Sequence, residues 1–238
     1  KPDNITFEEA AGVPLVTMTA LQALNNAGLK EGDSCFISGG AGGVGNAAIQ
    51  LAKNYFKCSR VITTASAGDG TDLCKKLGAD EVVDYKTAKF ETMYNDKKFD
   101  VCFDTTNESL KMAKIVKSGG KIVTIAGAPT LEEIRRIGGD ACILWLFLGK
   151  KEGRKEFKKA KKAGADWHYL FLTPNGDDLA TIAGLLKDGT IKPVVDSVFD
   201  FQNEDATTGW KGAFKKAFSG RAKGKVVVNN MNGNANSK

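Results

Sequence analysis

Histidine is nearly absent from this chain. His168 stands alone in 238 residues, so no serine or cysteine nucleophile has a histidine base to nominate, and no histidine cluster is available for a metal. It is flanked by Trp167 and Tyr169 in a strand-like run, and reads as a packed or edge residue. Cysteine is sparse as well: Cys35, Cys58, Cys74, Cys102 and Cys142 are scattered, odd in number and without a Cys-x-x-Cys pair. That pattern argues against a disulfide scaffold and a zinc site, and suggests a reducing compartment, cytoplasm or organelle interior. Long apolar runs are lacking too. The run from Ala141 to Leu148 falls far short of the roughly 20 residues a spanning helix needs, so no membrane span is expected.

Charge of one sign is in modest excess. The formal net charge of +6 suits an anionic ligand such as a dinucleotide without demanding nucleic acid. The basic stretch Lys150, Lys151, Arg154, Lys155, Lys158, Lys159, Lys161 and Lys162 has only Phe157 among it as a stacking aromatic. It reads as a solvated helix, and no nucleic-acid partner is expected. The chain begins at Lys1 rather than Met and shows no signal-peptide pattern, so an upstream segment is expected.

What the chain has is a glycine turn in context. Asp33-Ser34-Cys35-Phe36-Ile37 is a short apolar segment, Ser38-Gly39-Gly40-Ala41-Gly42-Gly43-Val44-Gly45 follows, and Asn46 to Lys53 carries apolar residues at helical spacing. Strand, turn and helix in that order give meaning to the G-x-G-x-x-G match at Gly40, Gly42 and Gly45. One glycine makes the tight turn, one lets the backbone approach a pyrophosphate, and one lets helix pack on strand. The helix N-terminus then holds the phosphate charge, with Gly43 and Val44 in its first turn. A purely structural βα turn is the alternative.

Strand and helix patterns alternate from there. Arg60–Thr64, Glu81–Tyr85, Phe99–Asp104 and Lys121–Ile125 read as strands, Thr71–Leu77 and Ser109–Val116 as helices, with Gly119-Gly120 as a stop. This alternation predicts an α/β fold with a doubly wound parallel sheet, a Rossmann-type dinucleotide-binding domain. Phe7–Leu24 reads as helical with a break or new start at Pro14, Trp167–Leu172 as a sixth strand, Gly176–Leu186 and Trp210–Phe218 as helices, and Lys225–Val228 as a last strand. The boundaries expected are an entry segment at 1–24, the dinucleotide-binding domain at 25–195, a return segment at 196–228 and a disordered tail at 229–238.

Strand two runs out at Thr63-Thr64-Ala65-Ser66, where an NAD-specific site places an acid for the ribose 2′-hydroxyl. No acid stands there, and Asp69 lies farther on in a turn. The small hydroxyls of Thr64 and Ser66 instead suit a 2′-phosphate, which favours NADP(H). Lys75 and Lys76 assist this site or are solvated helix lysines. Thr105, Thr106 and Asn107 follow strand four, as adenosine or ribose contacts or as a cap before Glu108.

The co-ordered motifs resemble a family. Asn4–Ala11, Pro14-Leu15, Thr19-Ala20, Gly39–Gly45, Leu77-Gly78-Ala79-Asp80, Val83-Asp84-Tyr85, Phe99-Asp100-Val101, Gly119-Gly120-Lys121, Lys192–Asp196 and Gly224–Val228 are similar to quinone oxidoreductase-like, zinc-independent members of the medium-chain dehydrogenase/reductase superfamily. The resemblance implies NADPH-dependent reduction of quinones or activated carbon–carbon double bonds. It implies an adenine-side role for Tyr85 and nicotinamide-side positions for Ala126, Gly127, Phe171, Leu172 and Thr19. The family places a lysine shortly after strand two, where this chain has Gly70. It also implies a homodimer paired through the strand at 167–172, whose aromatic run lacks protective charges. Family members carry an N-terminal GroES-like domain that this sequence does not contain, so substrate residues are not legible and the chain alone is expected to turn over poorly. A non-catalytic dinucleotide-binding or structural subunit is the second reading.

Overall fold

The computed structural model describes residues 1–130, 133–134 and 152–230. Thr6 starts the first helix, α1 (Phe7–Ala11), with a reciprocal cap: its hydroxyl accepts from the Glu9 amide, and the Glu9 carboxylate accepts from the Thr6 amide. Gly12 ends α1, and Pro14 opens α2 (Pro14–Asn26) at a position where the missing N–H has no helical partner to lose. The expected Phe7–Leu24 helix is therefore two helices, with Pro14 a new start.

The main sheet contains β1 (Ser34–Ile37), β2 (Arg60–Ala65), β3 (Glu81–Asp84), β4 (Phe99–Asp104), β5 (Val116–Thr124) and β6 (Asp166–Tyr169), all parallel, in the order β3-β2-β1-β4-β5-β6. The order reverses between β1 and β4, and in such sheets ligands bind at the carboxyl ends of the strands flanking that reversal. Between the strands run α3 (Gly43–Gln50), which continues as a π-helical turn over Leu51–Tyr55, then α4 (Asp69–Lys76), α5 (Phe90–Met93), α6 (Ser109–Met112) and α7 (Glu152–Lys162), and α8 (Gly176–Lys187) follows β6.

Period-2 alternation divides the core between the two faces of the sheet. Cys35 and Ile37 of β1 pack with Leu21 and Leu24 of α2, Ala48 and Ile49 of α3, and Ile182 of α8. Phe36 points the other way, into a cluster with Phe90, Phe99, Met112 and Ala160. Its ring lies 4.6 Å from Phe90 and 5.4 Å from Phe99.

Several boundaries differ from expectation, each for a local reason. The expected Ser109–Val116 helix stops at Met112, and Val116 already pairs with Phe99 in β5. The Gly119-Gly120 pair lies inside β5 as an irregularity between the Phe99 and Val101 registers, not as a stop. Gly119 takes φ +78°, and a Cβ on Gly120 would lie 2.7 Å from the Asp100 carbonyl oxygen. The short helix α5 had no sequence signal of its own. The strand expected over Trp167–Leu172 spans Asp166–Tyr169, with Leu170 still donating to Thr124 O at 2.8 Å. On its outer edge the Tyr169 amide donates to Glu133 Oε1.

The segment after residue 194 forms a structure of its own. β7 (Val195–Asp200), not expected as a strand, and β8 (Lys225–Asn229) pair in parallel, joined through α9 (Trp210–Phe218). Asn229 closes β8, its carbonyl accepting from Phe201 N at 2.8 Å, so it belongs to the strand and not to the tail expected from 229. Residues 231–238, the apolar run at 141–148, Cys142, Lys150 and Lys151 lie outside the described residues.

Candidate cofactor-binding site

The carboxyl edge of β1 and β4 is tied together by a buried carboxylate. Asp104, fully buried at the end of β4, accepts from Ser38 Oγ at 3.2 Å, from the amides of Thr106, Glu108 and Ser109, from Ser109 Oγ at 2.6 Å and from Thr124 Oγ1 at 3.3 Å. It caps the turn before α6, the role the sequence also offers to Thr105–Asn107. Thr105 turns back on the glycine loop instead, its hydroxyl donating to Ser38 O at 2.7 Å and its amide to Ser38 Oγ at 2.9 Å. Asn107 takes the left-handed conformation at φ +64°, beside Gly127, where a Cβ would collide with its side-chain oxygen.

The glycine loop leaves this platform at Gly39. Its amide donates to Thr64 Oγ1 and that of Gly40 to Thr64 O, both at 2.9 Å. Thr64 is buried, so its hydroxyl supports the loop from beneath. Cβ atoms on Gly40 and Gly45 would overlap Thr63 Oγ1 and Gly39 O respectively. These two glycines are required by close packing. Gly42 is different: a Cβ there would stand 3.3 Å from Gly39 O. It is the N-cap of α3 and offers no side-chain cap. Asn46 N bonds to Gly42 O, which leaves the amides of Gly43, Val44 and Gly45 as the first-turn donors without a helical partner. That is an anion-binding terminus, set at the sheet's reversal point.

Most of the sequence-predicted residues follow the carboxyl ends of the strands of this sheet. Ser66 is half-buried, and a Cβ on Gly70 would lie 3.0 Å from its Oγ and 3.8 Å from the Ala41 Cβ. Tyr85 follows β3, its amide donating to Ala65 O at 3.4 Å, with its side chain exposed. Ala126 N donates to Thr124 Oγ1 at 3.1 Å. Phe171 packs its ring 4.9 Å from Tyr169, whose hydroxyl donates to Ile125 O at 3.4 Å. Thr19 is buried with its hydroxyl bonded to Leu15 O. Lys75 and Lys76 lie in the last turn of α4, about 10 Å along the helix from its start, as solvated helix lysines. His168 is a half-buried β6 residue paired in register with Val123.

Sequence reasoning missed the contribution of the return segment. Gly224 N donates to Ala41 O at 3.0 Å, and the Lys225 stem lies 3.0 Å from where a Gly43 Cβ would be. Lys223 reaches the β2–α4 corner, its Nζ 2.5 Å from Asp69 Oδ2. The ammonium holds the Asp69 carboxyl below the ordinary carboxylate range. A cavity lined by Gly12, Val16, Asn46, Gln50, Val194 and Lys225 lies instead along the side of α3 that faces Lys192.

The chemistry available is binding and orientation. Among the described residues no group of three or more His, Cys, Asp or Glu is placed to hold a metal ion. Burial pushes the Cys58 and Cys74 thiols up to about 12 and raises Cys35 and Cys102 as well, so none is a ready thiolate. A zinc ion does not fit the described residues. No helix among them is long and apolar enough to cross a membrane.

A family model described as zinc-binding dehydrogenase matches residues 77–228. The chain belongs to that family. It is 35% identical over 228 residues to the 2-methylene-furan-3-one reductase of Solanum lycopersicum, covering 96% of this chain and 48% of that protein. It is 33% identical to the chloroplastic NADPH-dependent alkenal/one oxidoreductase of Arabidopsis thaliana, again over 96% of this chain and 48% of the relative. The solved quinone oxidoreductase of Coxiella burnetii is similar with a TM-score of 0.75 and 26% identity, over 96% of this chain and 62% of that one. These relatives are enone and quinone oxidoreductases of the medium-chain dehydrogenase/reductase superfamily. The chain spans about half the length of the first two.

Proposed function

We propose that this chain is the NADPH-binding portion of an oxidoreductase that reduces quinones or activated carbon–carbon double bonds. The observation that carries the reading is the N-terminus of α3, whose cap residue, Gly42, has no side chain. Gly40 and Gly45 are compressed against their neighbours, which sets the half-buried Gly42, Gly43 and Val44 at the point where the strand order reverses. The names of the tomato and Arabidopsis relatives support the substrate class and the cofactor.

A bound reduced nicotinamide supplies the hydride, so the protein's part is to hold, orient and exclude water. The first-turn amides of α3 hold the pyrophosphate, Ser66, Gly70 and Tyr85 border the adenosine half, and Ala126, Gly127 and Phe171 border the nicotinamide half. Within this reading 25–195 is the dinucleotide-binding domain and 196–228 returns toward a second domain that forms the other wall of the cleft. A small-molecule quinone or enone sits between them. A second copy of the chain joins at β6, the last strand in the order of the main sheet. Light scattering at increasing protein concentration is expected to give a dimer, and a persistent monomer contradicts that assembly.

The activity test is NADPH oxidation in the presence of a quinone and of an α,β-unsaturated ketone. The chain alone is expected to be nearly inactive, because correct positioning accounts for about 7–11 kcal/mol of a barrier in favourable cases. Fused to the upstream half of the tomato reductase, it is expected to turn over. Full activity of the isolated chain, or none in the fusion with NADPH bound, overturns this division of labour.

A further inference from the structure

The turn after β2 poses an electrostatic problem for a 2′-phosphate. Its sequence, Ala65-Ser66-Ala67-Gly68-Asp69-Gly70-Thr71, contains no cation and one acid, and a carboxylate repels a phosphate. The fold answers from far along the chain. We propose that Lys223, 154 residues away in sequence, is the residue that selects NADPH over NADH, acting through a partner exchange with Asp69. The proposal rests on the NADPH reading above.

Lys223 is held at this corner by its own backbone. Its amide donates to Asp196 Oδ1 at 2.7 Å, and the next two amides donate to Ala41 O at 3.0 Å and Val194 O at 2.9 Å. Gly224 has φ +107°, and a Cβ there would overlap Val194, so the chain crosses the glycine loop at close range. Ala41, Ser66 and Gly70 cluster beneath, and the ammonium closes the corner on Asp69 at 2.5 Å. Both partners reach water: the side chains are 36% exposed for Lys223 and 85% for Asp69. Nothing buried has to move for the ammonium to change partner.

A ribose phosphate carries more charge than a carboxylate and presents three acceptor oxygens, so it competes well for the same ammonium. With a plain 2′-hydroxyl no such competitor arrives. Asp69 then stays paired with Lys223 and is not free to accept from that hydroxyl, the contact that NAD-specific sites use. One lysine therefore favours the phosphorylated cofactor and blocks the acid that would favour the other.

The test uses 2′,5′-ADP and 5′-AMP, which differ by the 2′-phosphate alone, with calorimetric titration of the whole chain. Wild type is expected to prefer 2′,5′-ADP. Lys223→Gln is expected to weaken 2′,5′-ADP by about tenfold or more without weakening 5′-AMP, whose 2′-hydroxyl the freed Asp69 can then accept from, and Lys223→Arg to retain the preference. Asp69→Asn is expected to tighten 2′,5′-ADP severalfold, an opposite effect that no loss of folding produces. A Lys223→Gln protein with the wild-type ratio of affinities overturns the proposal, as does equal weakening of both ligands or an Asp69→Asn variant that binds 2′,5′-ADP no better. If wild type itself does not distinguish the two ligands, the NADPH reading falls as well. That result is separate from one in which wild type discriminates and the variant does too.

Discussion

The hydroxyl of Ser38 donates to the carboxylate of Asp104 at 3.2 Å, joining the end of β1 to the end of β4 across the point where strand order reverses. The same carboxylate gathers the amides of Thr106, Glu108 and Ser109. The loops on both sides of the candidate site thus share one anchor, which fixes the glycine loop before any ligand arrives.

Removing that anchor is expected to be severe. In Asp104→Ala several buried donors lose their acceptor together, each at a cost of about 1–3 kcal/mol. Urea unfolding should show a loss of about 3 kcal/mol or more, with Asp104→Asn intermediate because the amide oxygen still accepts. A loss below about 1 kcal/mol in Asp104→Ala contradicts the role given to this residue.

The glycines of the loop are expected to separate into two kinds. Gly40→Ala and Gly45→Ala force a Cβ into Thr63 Oγ1 and Gly39 O, and overpacking of this kind costs typically about 1–3 kcal/mol. Gly42→Ala meets its nearest neighbour at 3.3 Å and should lower the melting temperature far less. Equal destabilisation by all three substitutions counts against the packing argument.

This distinction shows what the sequence made legible. The G-x-G-x-x-G spacing after an apolar strand located the turn and its helix, and strand–helix alternation predicted the parallel doubly wound sheet. Spacing does not tell a glycine needed for packing from one needed for ligand approach, because that depends on what Thr63 and Gly39 place opposite. Thr64 and Ser66 looked equivalent as neighbouring small hydroxyls. Only the register of β2 against β1 shows Thr64 buried beneath the loop and Ser66 at the corner. Asp104 ended a strand pattern without any motif to mark it. Lys223 was beyond local reading, since its approach to Asp69 depends on the return of the chain through β7 and β8.

Acid is expected to loosen the amino-terminal end of the sheet through Asp100. Burial works to raise this carboxyl, but hydrogen bonds from Lys117 and Ser34 outweigh it and hold it down to about 2. The group is depressed below its unfolded value of about 3.9. Its contribution is therefore complete above that value and is lost as pH falls through the folded one. Stability measured by urea should decline between about pH 5 and 2, and Lys117→Met should reduce that decline. An identical acid limb in Lys117→Met and wild type contradicts the assignment.

The central claim is tested most directly by fluorescence titration of the chain with NADPH and NADH, beside Gly42→Asp. The account predicts saturable NADPH binding, tighter than NADH, and its loss in a Gly42→Asp protein that keeps the wild-type circular dichroism, because a carboxylate at the α3 N-cap would meet the pyrophosphate. Absence of NADPH binding in wild type, or undiminished binding in Gly42→Asp, would contradict it.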